Sequence, residues 1–268
     1  MPRTIKPAPI DAYVPELDLE DFRVRREAVK QLGNAHNAEG VPHLVRMLGD
    51  KTASVREEAI RALGKLMEPS TIAAIIQQLK HESEHVRNAA SKVIMAFGVR
   101  AAPTLLAALK DEDRYVRGGA AVFLGKLRLP EAVEALTALI EDSDPYVLMA
   151  VCGALGEYDD KRMIAPLLTV ANRDPATIRD EHTYGLGTLN ARHAQQGALN
   201  KLWLLGQVEA FKRMINDYRG MYSLNNVVRG TAYRATHGDA AAQEMLDWCA
   251  EHPDAEVREA YNIATTPK

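Results

Sequence analysis

The sequence has few cysteines and few aromatic residues, and both shortages limit the kinds of protein it can be. Its 268 residues contain two cysteines, four phenylalanines and two tryptophans. Cys152 and Cys249 lie far apart, which excludes a disulfide framework and a CxxC site. With 6% aromatic residues, the predicted core consists mainly of Ala, Leu, Val and Ile. Both cysteines fall on predicted apolar helix faces, where a thiol packs as a small hydrophobe.

The sequence also lacks long apolar runs and blocks of positive charge. No apolar run approaches the length of a membrane span, and the segment after Met1 has no apolar core of a secretory signal. Lys and Arg total 33 against 36 Asp and Glu, which gives a net charge of −3. Nucleic-acid binders usually carry a basic stripe, and none is found here. We therefore expect a cytoplasmic protein with no membrane and no nucleic-acid partner.

The main feature that is present is an internal repeat. A β-branched residue, here called the repeat anchor, recurs at spacings of 31, 31, 30, 31 and 31 residues. The anchors are Val24, Val55, Val86, Val116, Val147 and Ile178. Arg follows the anchor in all of these repeats except the fifth, which has Leu148. A fixed period of this length is the signature of a repeat architecture.

Each repeat is predicted to be a pair of helices. Apolar residues fall at the anchor and four, five and eight positions later, which places them on one helix face. A second apolar helical pattern follows, as in Val41, Leu44 and Leu48. Glycine nine positions after the anchor, such as Gly33, is predicted to end the first helix in a left-handed C-cap. Stacked pairs of this kind bury a continuous core.

The pattern D…VR…A…LG…P…L…L resembles the HEAT repeats, in the short form found in phycobilisome (bilin) lyases. The prediction is therefore an all-α, right-handed α-solenoid (superhelix) of six to seven HEAT-like helical hairpins. Residues 1–17 are predicted to be an extended segment and 18–187 to be regular repeats. Residues 188–268 are predicted to be irregular repeats and a C-terminal cap of the same solenoid.

Two functions are consistent with this resemblance. The first is a non-enzymatic scaffold, chaperone or adaptor that binds a protein partner on its concave face and needs no cofactor. The resemblance also implies the alternative of a bilin lyase or lyase-isomerase subunit, with a bilin as its ligand. Such a subunit would form a heterodimer with another HEAT-like protein. No catalytic triad or phosphate-binding loop is found that would name another enzyme.

The predicted partner groove consists of outward positions on the second helices, which change from polar to small to apolar along the chain. They are His43, Arg46, Gln77, Thr104, Ala107, Ala135, Ala138, Leu167 and Val170. Apolar residues at outward positions suggest a covered surface. The cover is either a partner or the segment 174–225 of this chain.

A pocket is the second candidate site, because His182 stands four positions after its anchor, where the first five repeats have Ala or Val. A histidine there is either a pocket wall or a hydrogen-bonded structural residue. The residues that are candidates for this pocket are Glu181, His182, Tyr184, His193 and Trp203.

Residues His81 to His85 spell the metalloprotease motif HExxH. A zinc site of that type needs both histidines on one continuous helix. The repeat frame instead aligns this segment with Asp50–Ser54, in the turn before a first helix. We therefore predict a solvated turn and no metal. The repeated Arg after each anchor is predicted to pair with turn carboxylates such as those of Asp50 and Asp111.

Overall fold

The computed structural model describes residues 10–66, 69–158, 160–174, 177–178, 187–217 and 223–266. Over these ranges the chain forms fifteen α-helices and no β-strand. Short 3-10 turns extend or precede several of them. The predicted all-α solenoid class is therefore confirmed. The helices are α1 Phe22–Asn34, α2 Val41–Arg46, α3 Ala53–Lys65, α4 Pro69–Ile76, α5 Glu84–Phe97, α6 Ala102–Ala108, α7 Arg114–Leu127, α8 Ala132–Ala138, α9 Pro145–Leu155, α10 Ile164–Asn172, α11 Gly187–Leu204, α12 Val208–Asp217, α13 Leu224–Thr236, α14 Ala240–Ala250 and α15 Ala255–Thr265.

Helices α1 to α14 alternate as the first and second helices of seven pairs in these ranges, and α15 follows as a further first helix. The chain divides between Ala135 and Leu136 into two compact units. In the first unit, α1, α3 and α5 pack side by side, and α2, α4 and α6 form the second layer. In the second unit, α9 packs against α11, and α13 packs against α14 and α15.

The predicted apolar face of the first helices forms the core. The alanines four positions after the anchor, Ala28, Ala59, Ala90 and Ala120, are fully buried. Small side chains at this position allow neighbouring first helices to approach closely. Two helix backbones approach closely at Gly33, where an added Cβ would lie 2.6 Å from the Cβ and 2.9 Å from the Cα of Ala62.

The predicted left-handed C-cap is wrong for the repeat glycines. Gly33, Gly64 and Gly125 lie inside their helices, and Gly156 ends α9 at a φ of −73°. In the described ranges, positive φ among glycines occurs at Gly98, Gly206 and Gly238 instead. At Gly33 the reason for glycine is the close approach of α3, which the repeat pattern does not reveal.

The arginine after the anchor closes the turn that precedes its helix. In five repeats its Nη1 donates to the carbonyl oxygens of the residues five and six positions earlier. These arginines are Arg25, Arg56, Arg87, Arg117 and Arg258. Arg25 also forms the predicted ion pair with Asp50. The common role is thus to satisfy carbonyl groups of the turn rather than only to pair with carboxylates.

The fifth repeat has Leu148 in place of this arginine, and another residue supplies the guanidinium. Arg173, just after α10, donates from Nη1 to the carbonyl oxygens of Ile140 (3.0 Å) and Asp142 (2.8 Å). These carbonyls belong to the turn that precedes α9. Leu148 itself is fully buried. The same turn is therefore held by an arginine from the far end of the repeat.

The N-terminal segment is not extended where the structure describes it. Ile10–Ala12 and Pro15–Asp18 form 3-10 turns, and Leu17 is 2% exposed. The turn Pro15–Asp18 packs against α1. This segment therefore covers the apolar side of the first helix, which a solvated extended chain would leave open.

The predicted anchor of the sixth repeat, Ile178, does not lie in a helix. It is buried, and the next helix in the described ranges is α11, which begins at Gly187. The buried side chain of Gln195 donates from Nε2 to the carbonyl oxygen of Arg173 (2.6 Å). Arg213 on α12 donates to Oδ1 of Asn172 (2.7 Å). Side chains of α11 and α12 thus form hydrogen bonds with the C-terminal end of α10.

One stretch, Glu84–Ala108, is long and apolar enough to cross a membrane by length and by its mean hydropathy of 1.2. The stretch is not an uninterrupted apolar run, because it contains Arg87, Lys92 and Arg100. The stretch is not one continuous α-helix, because α5 ends at Phe97 and Gly98 has a φ of 56°. Within its most apolar 18-residue window, 44% is buried inside the protein. Val86, Val93, Ile94 and Leu105 belong to the core of the first unit, whereas Met95 and Val99 are exposed.

Candidate functional site

The outward surface of the second helices in the first unit, here called the B face, is the candidate site. It is formed by α2, α4 with the following 3-10 turn, and α6. Its residues are His43, Arg46, Ala74, Gln77, Thr104 and Ala107. Arg46 and Ala107 are exposed and the others are half-buried. Proline at the start of α2 and α6 fits the first helical turn, where its missing N–H breaks no bond.

A depression of about 390 Å³ lies on this face between α4 and α6. Alanines make up half of its lining residues, because both helices carry small residues at their outward positions. It is lined by Ala73, Ala74, Ile76, Gln77, Thr104, Ala107, Ala108 and Asp111. The fold thus brings together three predicted groove residues, Gln77, Thr104 and Ala107. Ala74, three residues before Gln77, lies beside them.

A fixed carboxylate closes one end of the depression. The side-chain amide of Gln77 donates to Oδ2 of Asp111 (2.8 Å), and the backbone N–H of Asp113 donates to Oδ1 (2.9 Å). Burial opposes ionisation of Asp111, but these hydrogen bonds and the nearby cations hold its pKa below the ordinary value. Asp111 is therefore a negatively charged acceptor at neutral pH.

A second, polar depression of about 620 Å³ shares Asp111 with the first. Its other lining residues are Lys80, Lys110, Glu112 and Asp113. Together, the two depressions form a small apolar surface that is bordered by positively and negatively charged side chains. Such a surface suits a protein segment that has an apolar side chain next to polar or charged groups.

Asp111, Lys80 and Lys110 were not predicted to be part of a site, and Asp111 was predicted to be a turn carboxylate. A signal was available, since Lys80 and Lys110 follow the second helices of successive repeats at the 30-residue spacing. The bond between Gln77 and Asp111 joins residues 34 positions apart, so it depends on how the repeats stack.

Two predicted groove residues of the fifth repeat are wrong. Leu167 and Val170 are both fully buried. Leu167 aligns with Leu44, which is also fully buried, so the prediction was displaced by one residue. Pro166 and Thr169 hold the outward positions of α10 and are half-buried and exposed. An apolar side chain still faces outward on this helix, since Leu168 is 38% exposed.

The two remaining groove residues lie on α8 and agree with the prediction in exposure. Ala135 is half-buried and Ala138 is exposed. The division between the two compact units passes between Ala135 and Leu136. Ala138 is therefore an outward position of the second unit.

The predicted pocket is not assembled by the described residues. Glu181, His182 and Tyr184 lie outside the described ranges. His193 and Trp203 both lie on α11, but ten residues of helix separate them by about 15 Å. Trp203 instead packs within the core, where its indole N–H donates to Oγ1 of Thr231 (3.2 Å). We therefore assign Trp203 to helix packing rather than to a pocket with His193.

The HExxH segment lies in a turn, as predicted from the repeat frame. α5 begins at Glu84, and Nδ1 of His81 accepts a hydrogen bond from the backbone N–H of Ser83 (3.0 Å). His81 and His85 are therefore not on one continuous helix. Across the described ranges, no group of three or more His, Cys, Asp or Glu residues has an arrangement that could hold a metal ion.

Both cysteines are packing residues. Cys152 and Cys249 are fully buried, and burial raises the pKa of each thiol to about 12. A nucleophilic cysteine needs an accessible thiolate at neutral pH. The prediction that both pack as small hydrophobes is confirmed.

The chain belongs to the HEAT-repeat family, because the sequence profile of HEAT repeats matches residues 10–96, 67–121 and 102–187. A comparison with curated proteins gives no significant sequence match.

Several solved structures are similar to this chain. The Escherichia coli protein YibA is 14% identical, with 96% of this chain and 92% of that chain covered and a TM-score of 0.47. The complex of CpcE and CpcF of phycocyanin lyase from Nostoc sp. PCC7120 is 18% identical, with 96% and 94% covered and a TM-score of 0.40. A designed armadillo repeat protein in complex with the peptide (KR)4 is 17% identical, with 70% and 99% covered and a TM-score of 0.31. These similarities concern the fold.

Proposed function

We propose that this protein is a non-enzymatic scaffold that binds a protein partner on the B face of its first unit. The observation that carries the proposal is the alanine-lined depression between α4 and α6. An outward helix position in water is usually occupied by a long polar or charged residue. Small apolar residues around a concave surface are instead typical of a binding site.

The lining of the depression supports a particular kind of contact with the partner. Ala74 and Ala107 leave room for an apolar side chain of the partner, which would be removed from water on binding. Asp111 offers a charged acceptor at one end, and Lys80 and Lys110 offer donors beside it. The partner segment is therefore expected to place an apolar side chain beside polar groups that reach this edge.

The test uses Ala107→Glu on the B face and Ala96→Glu as a matched control. Both alanines are exposed, and Ala96 lies on the first helix α5. Proteins captured from an extract of the native host are identified by mass spectrometry, and the strongest candidate is purified for calorimetric titration. Ala107→Glu would bury an unpaired charge in the complex, so we expect at least about a hundredfold loss of affinity. Ala96→Glu is expected to bind as the wild type does.

The thermal unfolding of each variant must be measured beside its binding. We expect both midpoints to stay close to the wild-type value, because each substitution faces water in the free protein. Equal binding by both variants contradicts the proposal, and so does unfolding of the protein by Ala107→Glu. Ala138→Glu, measured in the same assay, tests whether the outward position of α8 also contributes to binding.

The bilin lyase alternative is distinguished by the same preparation. A captured complex that absorbs visible light and retains the pigment after denaturation would indicate a bilin and favour that alternative. A colourless complex whose formation depends on Ala107 supports the scaffold. Bound pigment is measured by absorbance and partner binding by calorimetric titration, so the two outcomes can be told apart.

A further inference from the structure

A buried histidine lies in the turn that joins α14 to α15. His252 is 6% exposed, and Nδ1 accepts a hydrogen bond from the backbone N–H of Asp254 (3.1 Å). An amide N–H can only donate, so Nδ1 carries a lone pair. The ring proton is then on Nε2, which donates to Oδ1 of Asn216 on α12 (3.2 Å). These partners define a neutral imidazole.

This turn is a variant of one that the chain uses repeatedly. In the turns before α3, α7 and α9, an aspartate Oδ1 accepts from the backbone N–H two residues later, at 2.8 to 2.9 Å. The aspartates are Asp50, Asp111 and Asp142. His252 replaces this carboxylate with an imidazole nitrogen. A carboxylate accepts at all pH values above its acid range, whereas an imidazole loses its acceptor when it is protonated.

We propose that His252 is a pH-sensitive latch, which holds α15 in place while the ring is neutral and releases that helix when the ring is protonated. A proton on Nδ1 would point at the N–H of Asp254, so two donors would face each other at the present contact distance. The ring must then leave its buried position or remain neutral. Because Asp254 caps α15 by accepting from the N–H of Glu256 (2.8 Å), displacement of the turn disturbs the start of that helix.

Some charged groups near His252 favour protonation of its ring and others oppose it. Around the start of α15, Asp254 is occupied as the helix cap, and the Arg258 guanidinium donates to the carbonyl oxygen of His252. The positive charge of Arg258 therefore disfavours protonation of the His252 ring. Asp217 on α12 is 56% exposed, and Glu251 after α14 and Glu256 in the first turn of α15 are exposed. Their attraction for a protonated ring is therefore weakened by solvent.

The ring is also held from its apolar side. Trp248 on α14 packs edge-to-face against His252 with ring centroids 4.5 Å apart, and Phe211 on α12 packs against Trp248 in the same manner. Three elements, α12, α14 and the start of α15, thus converge on this imidazole. If the imidazole leaves this buried position, we expect the packing of α15 on α13 and α14 to loosen.

The experiment measures hydrogen exchange of the full chain at pH 7.5 and 5.5, with rates corrected for the intrinsic effect of pH. We expect the protection of residues 255–265 to fall at pH 5.5 relative to residues 53–65, by up to about tenfold, which is the limit for one group with a free value near 6.5. In His252→Asn the amide oxygen can accept from the N–H of Asp254 without titrating, so this loss should disappear. A nuclear magnetic resonance titration of the wild-type ring should give a midpoint below about 6.5, the value of a free histidine.

His81 provides the matched control, because its Nδ1 accepts from Ser83 in the same way but the residue is exposed. His81→Asn should leave the pH response of α15 unchanged. The proposal is overturned by wild-type protection of α15 that does not change with pH, or by a ring that titrates at or above 6.5. A response that persists in His252→Asn overturns it as well. The wild-type measurements decide the matter even if that variant fails to fold.

Discussion

Arg25 and Asp50 form a buried ion pair that joins the first two repeats. Nε and Nη2 of Arg25 donate to the two carboxylate oxygens of Asp50 at 2.8 and 2.9 Å, and the side chains are 4% and 6% exposed. Nη1 of the same guanidinium donates to the carbonyl oxygens of Leu19 and Glu20. One side chain therefore fixes the turn before α1 and the turn before α3.

Removal of one partner from this pair should destabilise the first unit strongly. Arg25→Met leaves the Asp50 carboxylate buried without its cation, which typically costs about 3–5 kcal/mol. The free energy of unfolding is measured by urea denaturation. Arg46→Met is the control, because its pair with Asp18 (2.8 Å) is 50% and 67% exposed, and such pairs contribute less than about 1 kcal/mol. Equal losses in both variants would contradict the assignment.

The same pair predicts how stability depends on acid. Burial of Asp50 opposes ionisation, but Arg25 and the N–H of Thr52 outweigh it and hold the pKa of Asp50 below its ordinary value. A carboxyl with a lowered pKa stabilises the folded state above the unfolded value of about 3.9 and loses that contribution as pH falls through the folded value. Asp50→Asn should therefore flatten the acid limb of the stability curve below about pH 4, whereas Asp18→Asn should leave it unchanged.

Two equivalent glycines should respond oppositely to alanine. At Gly33 the new Cβ would lie 2.6 Å from the Cβ and 2.9 Å from the Cα of Ala62, whereas nothing lies within 4 Å at Gly64. Gly33→Ala should therefore destabilise by about 1–3 kcal/mol through overpacking. Gly64→Ala should stabilise by about 0.5–1 kcal/mol, because alanine favours the helix. Thermal unfolding midpoints that shift in the same direction for both variants would refute this explanation.

These glycines also show what the sequence could and could not predict. The repeat period located the helices, the buried alanines and the turn that contains His81, because each depends on local pattern. The reason for glycine at position 33 depends on the distance between α1 and α3, which a pattern does not contain. The displaced prediction at Leu167 has a different cause, since outward and buried positions on a short helix differ by a single residue.

The candidate site was predictable only in part for the same reason. Ala74, Gln77, Thr104 and Ala107 follow from the helical face of the second helices. The contact between Gln77 and Asp111 depends on how two repeats stack. The separation of His193 from Trp203 follows from their places on one helix, α11, which spans Gly187–Leu204.

The close packing of the first helices gives the last prediction. Ala59 is fully buried at the position four residues after its anchor, on α3, which packs against both α1 and α5. Ala59→Leu adds three carbon atoms where the neighbouring helices leave no space, and overpacking of this kind costs about 1–3 kcal/mol. Ala53→Leu is the control, because Ala53 is exposed at the start of the same helix and should change stability by less than about 0.5 kcal/mol. Urea denaturation of both variants measures the difference. An unchanged midpoint for Ala59→Leu would mean that α3 does not present this face to its neighbours.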